Sequence, residues 1–218
     1  PRFSVLDPTK TYTLPARQVA NGVVDAFVHI TEQYLTYPVD AKVQDRFAEG
    51  LLLTLIEEGP KALQAPENYA VRANIMWTAT LALNGLIGAG VPNDWATHML
   101  GHELTALHGL DHAQTLAVVL PAMLQVRRAE KREKLLQYAE RVWNLKDGDA
   151  DARIDQAIEK TRQFFEAMQV PTRLSGYGIG KDAIPALLAQ LERHGMLKLG
   201  ERQDVDLERS TQVFELAA

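Results

Sequence analysis

Two histidine-bearing segments about 70 residues apart set the strongest constraint on how this chain can fold. The first is Asp25-Ala-Phe-Val-His29. The second runs from His98-Met-Leu-Gly-His102 through His108 to Asp111-His112. Together they hold five of the six histidines. One carboxylate and several imidazoles form a ligand mix suited to zinc or ferrous iron. A fold that joins the two segments in space therefore acquires a metal site.

The rest of the chain reads as helical protein. Pro15 suits the first position of a helix, and Val19, Val23, Val24, Phe27, Ile30 and Tyr34 mark an apolar stripe up to about Thr36, where Pro38 blocks continuation. A second helix is expected from about Val39 to Gly59, and a third from about Pro66 to Gly88. The third is so uniformly apolar that it should be buried. Asn93 or Asp94 is a suitable cap for the helix carrying His98 and His102, Gly109 suits its end, and Asp111 caps a helix from about His112 to Arg128. Helices are also expected over 129–145, 149–168, 182–194 and 207–216, with a loop at 170–180. The expected class is all-α, a multi-helix bundle-like metal-binding domain. A short N-terminal strand and loop precede it, because Pro1-Arg-Phe-Ser-Val-Leu-Asp-Pro reads as a strand entering a loop. Beginning on Pro1 rather than Met, the chain reads as a piece of something longer.

Composition narrows the function classes. A net charge of −5 disfavours nucleic-acid and anionic-membrane surfaces, since both want clustered Lys and Arg. The one basic cluster, Arg127-Arg128 to Lys134, is interleaved with Glu130 and Glu133 and reads as a solvated helix face. With no cysteine, disulfides and thiolate ligands are excluded, which fits a cytoplasmic protein. No apolar run approaches the roughly 20 residues of a membrane span, and no signal peptide is visible. The apolar helices leave room for a homodimer.

Residues i and i+4 of a helix project together, so Asp25 pairs with His29, and His98 with His102. A buried Asp–His pair alone is more often a hydrogen-bonded pair than two ligands. Four histidines between His98 and His112 raise the case for a metal, and spacing alone favours His102 over His112 as a ligand. Short signatures do not match: His102-Glu103 lacks the second histidine of a zincin, and no serine sits in a nucleophile elbow. Gly176, Gly178 and Gly180 lack the flanking elements of a nucleotide loop and read as a turn.

The segments Leu14-Pro-Ala-Arg-Gln-Val-Ala-Asn-Gly-Val-Val-Asp25-Ala-Phe-Val-His29 and Asp94-Trp-Ala-Thr-His98-Met-Leu-Gly-His102-Glu-Leu-Thr-Ala-Leu-His108-Gly-Leu-Asp-His112-Ala resemble the iron-containing (group III) alcohol dehydrogenases. The wording is closest to their NADPH-dependent butanol dehydrogenase or broad-range aldehyde reductase branch. The resemblance runs from Asp7-Pro8 to the end and is confined to the family's helical C-terminal domain, of dehydroquinate synthase-like architecture. It implies that residues 1–14 connect to a nucleotide-binding domain outside this chain and that 15–218 form the metal-binding domain. It implies one divalent metal, zinc or iron, on Asp25, His29, His98 and His112. His102 becomes a non-ligand facing the nicotinamide and substrate, a candidate catalytic and cofactor-binding residue, and His108 is structural or an outer partner. Many relatives carry Gly after the last ligand, where this chain has Ala113. The implied reaction interconverts small aldehydes and primary alcohols with NADP(H). Two other readings stand beside it: a non-catalytic helical metal-binding fragment, and a helical interaction scaffold without metal.

Overall fold

The structure, a computed structural model, describes residues 2–218. It is all-α, as expected. Nine α-helices are present among the described residues, and the only β-type pairing is an isolated Leu199–Val205 bridge. The helices are α1 Ala16–Tyr34, α2 Lys42–Gln64, α3 Tyr69–Leu83, α4 Ala96–His108, α5 His112–Val126, α6 Arg132–Arg141, α7 Ala150–Ala167, α8 Ile184–Arg193 and α9 Leu207–Ala217. Among the described residues, no helix is long and apolar enough to cross a membrane.

α1 runs through the middle, against α2, α3 and α5. From Val23 to Tyr34 every residue except Asp25 is buried, so the one half-open position on this stretch belongs to a carboxylate. α5 separates two cores. Leu116, Ala117, Leu120 and Leu124 pack toward α1, α2, α6 and α7, while Val118, Val119, Ala122 and Met123 pack toward α4, α8 and α9. That double burial explains a helix that is apolar all round.

α4 and α5 form a tight hairpin. Its turn is Gly109, in the left-handed region at φ 68°, and Asp111 opens α5 with its N–H donating 3.0 Å to Gln114 Oε1. The hairpin closes at Gly101, where an added Cβ would lie 2.6 Å from Thr115 Oγ1 and 3.4 Å from Leu116 Cδ2. Thr115 is fully buried, and its hydroxyl donates to the His112 carbonyl at 2.7 Å, so it cannot swing away freely. Gly101→Ala is therefore expected to cost about 1–3 kcal/mol by overpacking, read by urea unfolding.

Four expectations are corrected. Residues 2–7 form no strand: Phe3 and Val5 are 80% and 82% exposed, and no neighbouring strand offers a backbone ladder. Pro1 lies outside the described residues. Regular structure begins instead with a 3-10 turn at Pro8–Thr11, capped by Asp7. α2 runs through Gly59 and Pro60 to Gln64. Gly59 is a packing glycine, since a Cβ there would sit 2.8 Å from Val23 Cγ1 and 3.2 Å from Met168 Sδ. α3 is shorter than expected and only half buried, with Trp77 and Leu83 exposed at 57% and 60%.

The basic cluster is largely interior. Arg127, Lys131 and Lys134 are 0%, 2% and 4% exposed. Their i, i+4, i+7 spacing turns all three inward, while Arg128 and Arg132 face Asp151 on the surface. Arg127 meets Asp94 at 3.2 Å, Glu201 at 2.7 Å and Asp204 at 2.8 Å; Lys131 meets Asp94 at 2.7 Å and Glu201 at 3.1 Å. Carboxylates remote in sequence neutralise the charges, which makes their burial tolerable.

Candidate metal centre

α1 presents Asp25, His29 and Glu32 at i, i+4 and i+7, one face of the helix. The N-terminal turn of α4 brings His98, with His102 one turn further on, and α5 begins on His112. The His29 and His98 rings lie 4.4 Å apart between centroids, and His98 and His112 lie 5.2 Å apart. One ligand atom each from Asp25, His29 and His98 falls within 4.8 Å of the others. His112 is not within this tight group, yet its Nε2 lies 3.5 Å from Asp25 Oδ1.

The spare nitrogens are turned in a consistent way. His29 Nδ1 lies 2.8 Å from the Asp25 backbone carbonyl, a bond that fixes the ring and leaves Nε2 free. His98 Nδ1 lies 2.5 Å from Glu32 Oε2, and its Nε2 is buried without a partner. Asp25 Oδ1 is likewise buried without a hydrogen bond. A carboxylate oxygen and an imidazole nitrogen, both orphaned and facing one cluster, have the chemistry of a cation site. Bonds of about 2.0–2.2 Å around one ion hold neighbouring ligand atoms about 3.4 Å apart. The 3.5 Å approach of His112 to Asp25 already matches that spacing.

Electrostatics favours the ligand form of the imidazoles. Burial, reinforced by neighbouring His29, pushes His98 down to about 4. Burial also lowers His112 against the opposing pull of Asp25. Burial drives Glu32 up to about 7, against the N–H groups of Thr97 and His98 and the charge of Lys131. Trp95 sets its ring edge-on to both His29 and His98, at 5.8 and 5.2 Å, and closes one side of the cluster.

His102 is exposed at the rim. Its ring stacks on His112 at 5.4 Å and stands 6.5 Å from His98. His108 is exposed at the end of α4, outside the cluster. Glu103 points away from the site and pairs with His194 at 2.8 Å. Beside the cluster, Gln18, Asn21, Gly22, Asp25, Asp111 and His112 border a groove of about 380 Å³. A second, more apolar groove of about 420 Å³ shares Gln18 and Gly22 and is lined by Leu14, Val19, Ile75 and Met76.

The sequence profile of the Fe-containing alcohol dehydrogenase family, C-terminal, matches residues 19–211. The chain belongs to the Fe-containing alcohol dehydrogenase family. Among relatives, the NADPH-dependent aldehyde reductase YqhD of Escherichia coli is 70% identical over 217 residues, covering 100% of this chain and 56% of that protein. NADH-dependent butanol dehydrogenase A of Clostridium acetobutylicum is 35% identical, covering 99% of this chain and 56% of its own. The substrate- and cofactor-free structure of YqhD superposes with a TM-score of 0.99 at 69% identity, over 100% of this chain and 57% of that one. An NADH-dependent butanol dehydrogenase A from Thermotoga maritima gives 0.93 at 27% identity, over 100% and 56%. The chain thus spans a little over half the length of these relatives.

Within this Fe-containing alcohol dehydrogenase domain, sequence reasoning missed Glu32 and Trp95. Glu32 carried a usable signal, since it continues the Asp25–His29 face by one more helical turn. Trp95 carried none. Its left-handed backbone, φ 64°, opens α4 where Asn93 or Asp94 was the expected cap, and Asp94 Oδ1 instead accepts the Ala96 N–H at 3.1 Å.

Proposed function

We propose that this chain is the metal-bearing half of an NADP(H)-dependent alcohol dehydrogenase that reduces small aldehydes reversibly to primary alcohols. Residues 1–14 would form the connection to a nucleotide-binding domain, and 15–218 the metal-binding domain. The observation that carries the reading is the pair of orphaned buried atoms, Asp25 Oδ1 and His98 Nε2, beside His29 and His112. Asp25, His29, His98 and His112 would hold one zinc or iron ion.

Such an ion supplies a Lewis acid to a carbonyl oxygen, and a reduced nicotinamide supplies hydride. The chain's own residues do the rest. The groove at Asp25 and His112 admits the carbonyl end of a substrate, and the adjoining apolar groove at Leu14, Ile75 and Met76 suits an alkyl chain. Trp95 and the buried face of α1 keep water from the inner side of the imidazoles. His102, exposed and stacked on His112, offers a ring nitrogen at the rim to pass a proton from solvent to the alkoxide oxygen during reduction, and back to solvent in the reverse reaction.

His102→Ala in the full-length protein is expected to lower kcat about 10²–10⁴-fold while metal content, by elemental analysis, stays at the wild-type value. Loss of the metal in that variant would make His102 a ligand and overturn the assignment. The second reading, a helical metal-binding fragment inactive by itself, is favoured for these 218 residues taken alone, because hydride transfer needs a bound hydride source. NADPH titration of the isolated chain tests it; tight binding would exclude it.

A further inference from the structure

We infer that Glu32 is the positioning residue of this centre: one buried carboxylate caps α4 from across the bundle and holds the His98 ring with Nε2 turned into the cluster. The inference rests on the reading that His98 is one of the metal ligands. Glu32 is 2% exposed and every acceptor it has is directed at the same turn. Oε1 accepts the Thr97 N–H at 2.7 Å. Oε2 accepts the His98 N–H at 3.3 Å and faces His98 Nδ1 at 2.5 Å. The Glu32 backbone carbonyl accepts the Asp94 N–H at 2.9 Å.

α4 needs this help. Its first donors have no partner within the helix, and Trp95 in the cap position offers no side-chain acceptor. A carboxylate at a helix N-terminus is also favoured by the aligned peptide dipoles. The same group therefore fixes where α4 begins and how the imidazole on its first turn is rotated. A His98 ring donating from Nδ1 to Glu32 keeps its Nε2 lone pair for a cation.

Glutamine cannot replace this arrangement, although it has the same shape. It has one oxygen and one NH₂ where three donors converge. With its oxygen toward Thr97, the amide faces His98 Nδ1, and the ring proton moves to Nε2, the atom that must bind the ion. With its oxygen toward His98, a donor faces the Thr97 N–H.

The test is a cycle in the full-length protein. Zinc affinity is measured, by competition with chelators graded in strength, for wild type, Glu32→Gln, His98→Ala and the double variant. Thermal melts of the metal-free proteins show that each is folded. Glu32→Gln is expected to weaken zinc binding about 10–100-fold, and to weaken it no further on the His98→Ala background, because Glu32 acts through that ring. Glu32→Asp, which keeps the charge but withdraws it by a methylene, carries the same expectation should the Gln variant not fold. Wild-type affinity in the folded Glu32 variants overturns the inference. So does an equal loss on both backgrounds, which is the mark of a merely structural residue. A His98→Ala protein that binds zinc as tightly as wild type overturns the ligand reading itself, and is distinguished from the other outcomes by that single variant.

Discussion

Replacing His98 with alanine is expected to weaken metal binding so far that the protein is purified without its ion, although added zinc still binds measurably. About one zinc or iron per chain, found by elemental analysis of protein purified without added metal, should fall to background. The loss should exceed the roughly 10–100-fold that removal of an outer partner costs. His98 Nε2 is buried and unpaired, and the His98 ring lies between those of His29 and His112. Its removal leaves Asp25 and two imidazoles with a gap on the inner side, where Glu32 has no side chain left to orient. The fold should survive, because Glu32 still accepts the backbone N–H groups of residues 97 and 98 at the start of α4. Retention of the metal with full occupancy in the folded variant would refute the four-residue site.

Arg127→Ala is expected to destabilise the chain by about 3–5 kcal/mol, the cost of breaking a buried ion pair from one side. For a chain of this size the shift corresponds to a fall in Tm of roughly 6–20 °C. Arg127 is fully buried and neutralises Asp94, Glu201 and Asp204, which approach from the α4 entry and from the turn between α8 and α9. Without the guanidinium, Lys131 alone faces Asp94 and Glu201. Because Asp94 also caps Ala96, one residue before Thr97, the damage should reach the first turn of α4. Calorimetry checks the stability; a drop below about 1 kcal/mol would mean that water reaches the cluster.

Much of the helical outline was legible because its signals are local. Asp111 opening α5 and Gly109 ending α4 each depend on a side chain or φ angle within a few residues. Gly59 and Pro60 misled because they are local stop signals overridden by packing: the helix passes so near Val23 and Met168 that only glycine fits. α3 misled in the opposite sense, since apolar composition states what a helix can bury and not how many neighbours it meets. Arg127, Lys131 and Lys134 looked solvated because their partners lie tens of residues away.

Taken alone, the sequence determined where most of the helices form, which side chains are able to ligate a metal, and the family to which the chain belongs. Pairings at i and i+4, such as Asp25 with His29, follow from helical pitch and require no tertiary information. Only the tertiary structure decided what meets across helices. It set His112 closer than His102 to His98, turned Glu32 onto the first turn of α4, and left His108 outside the cluster. Helical pitch is a property of the backbone, the same in every helix. The distance between two helices depends on every side chain packed between them, from Gly101 against Thr115 to Phe27 against Phe165.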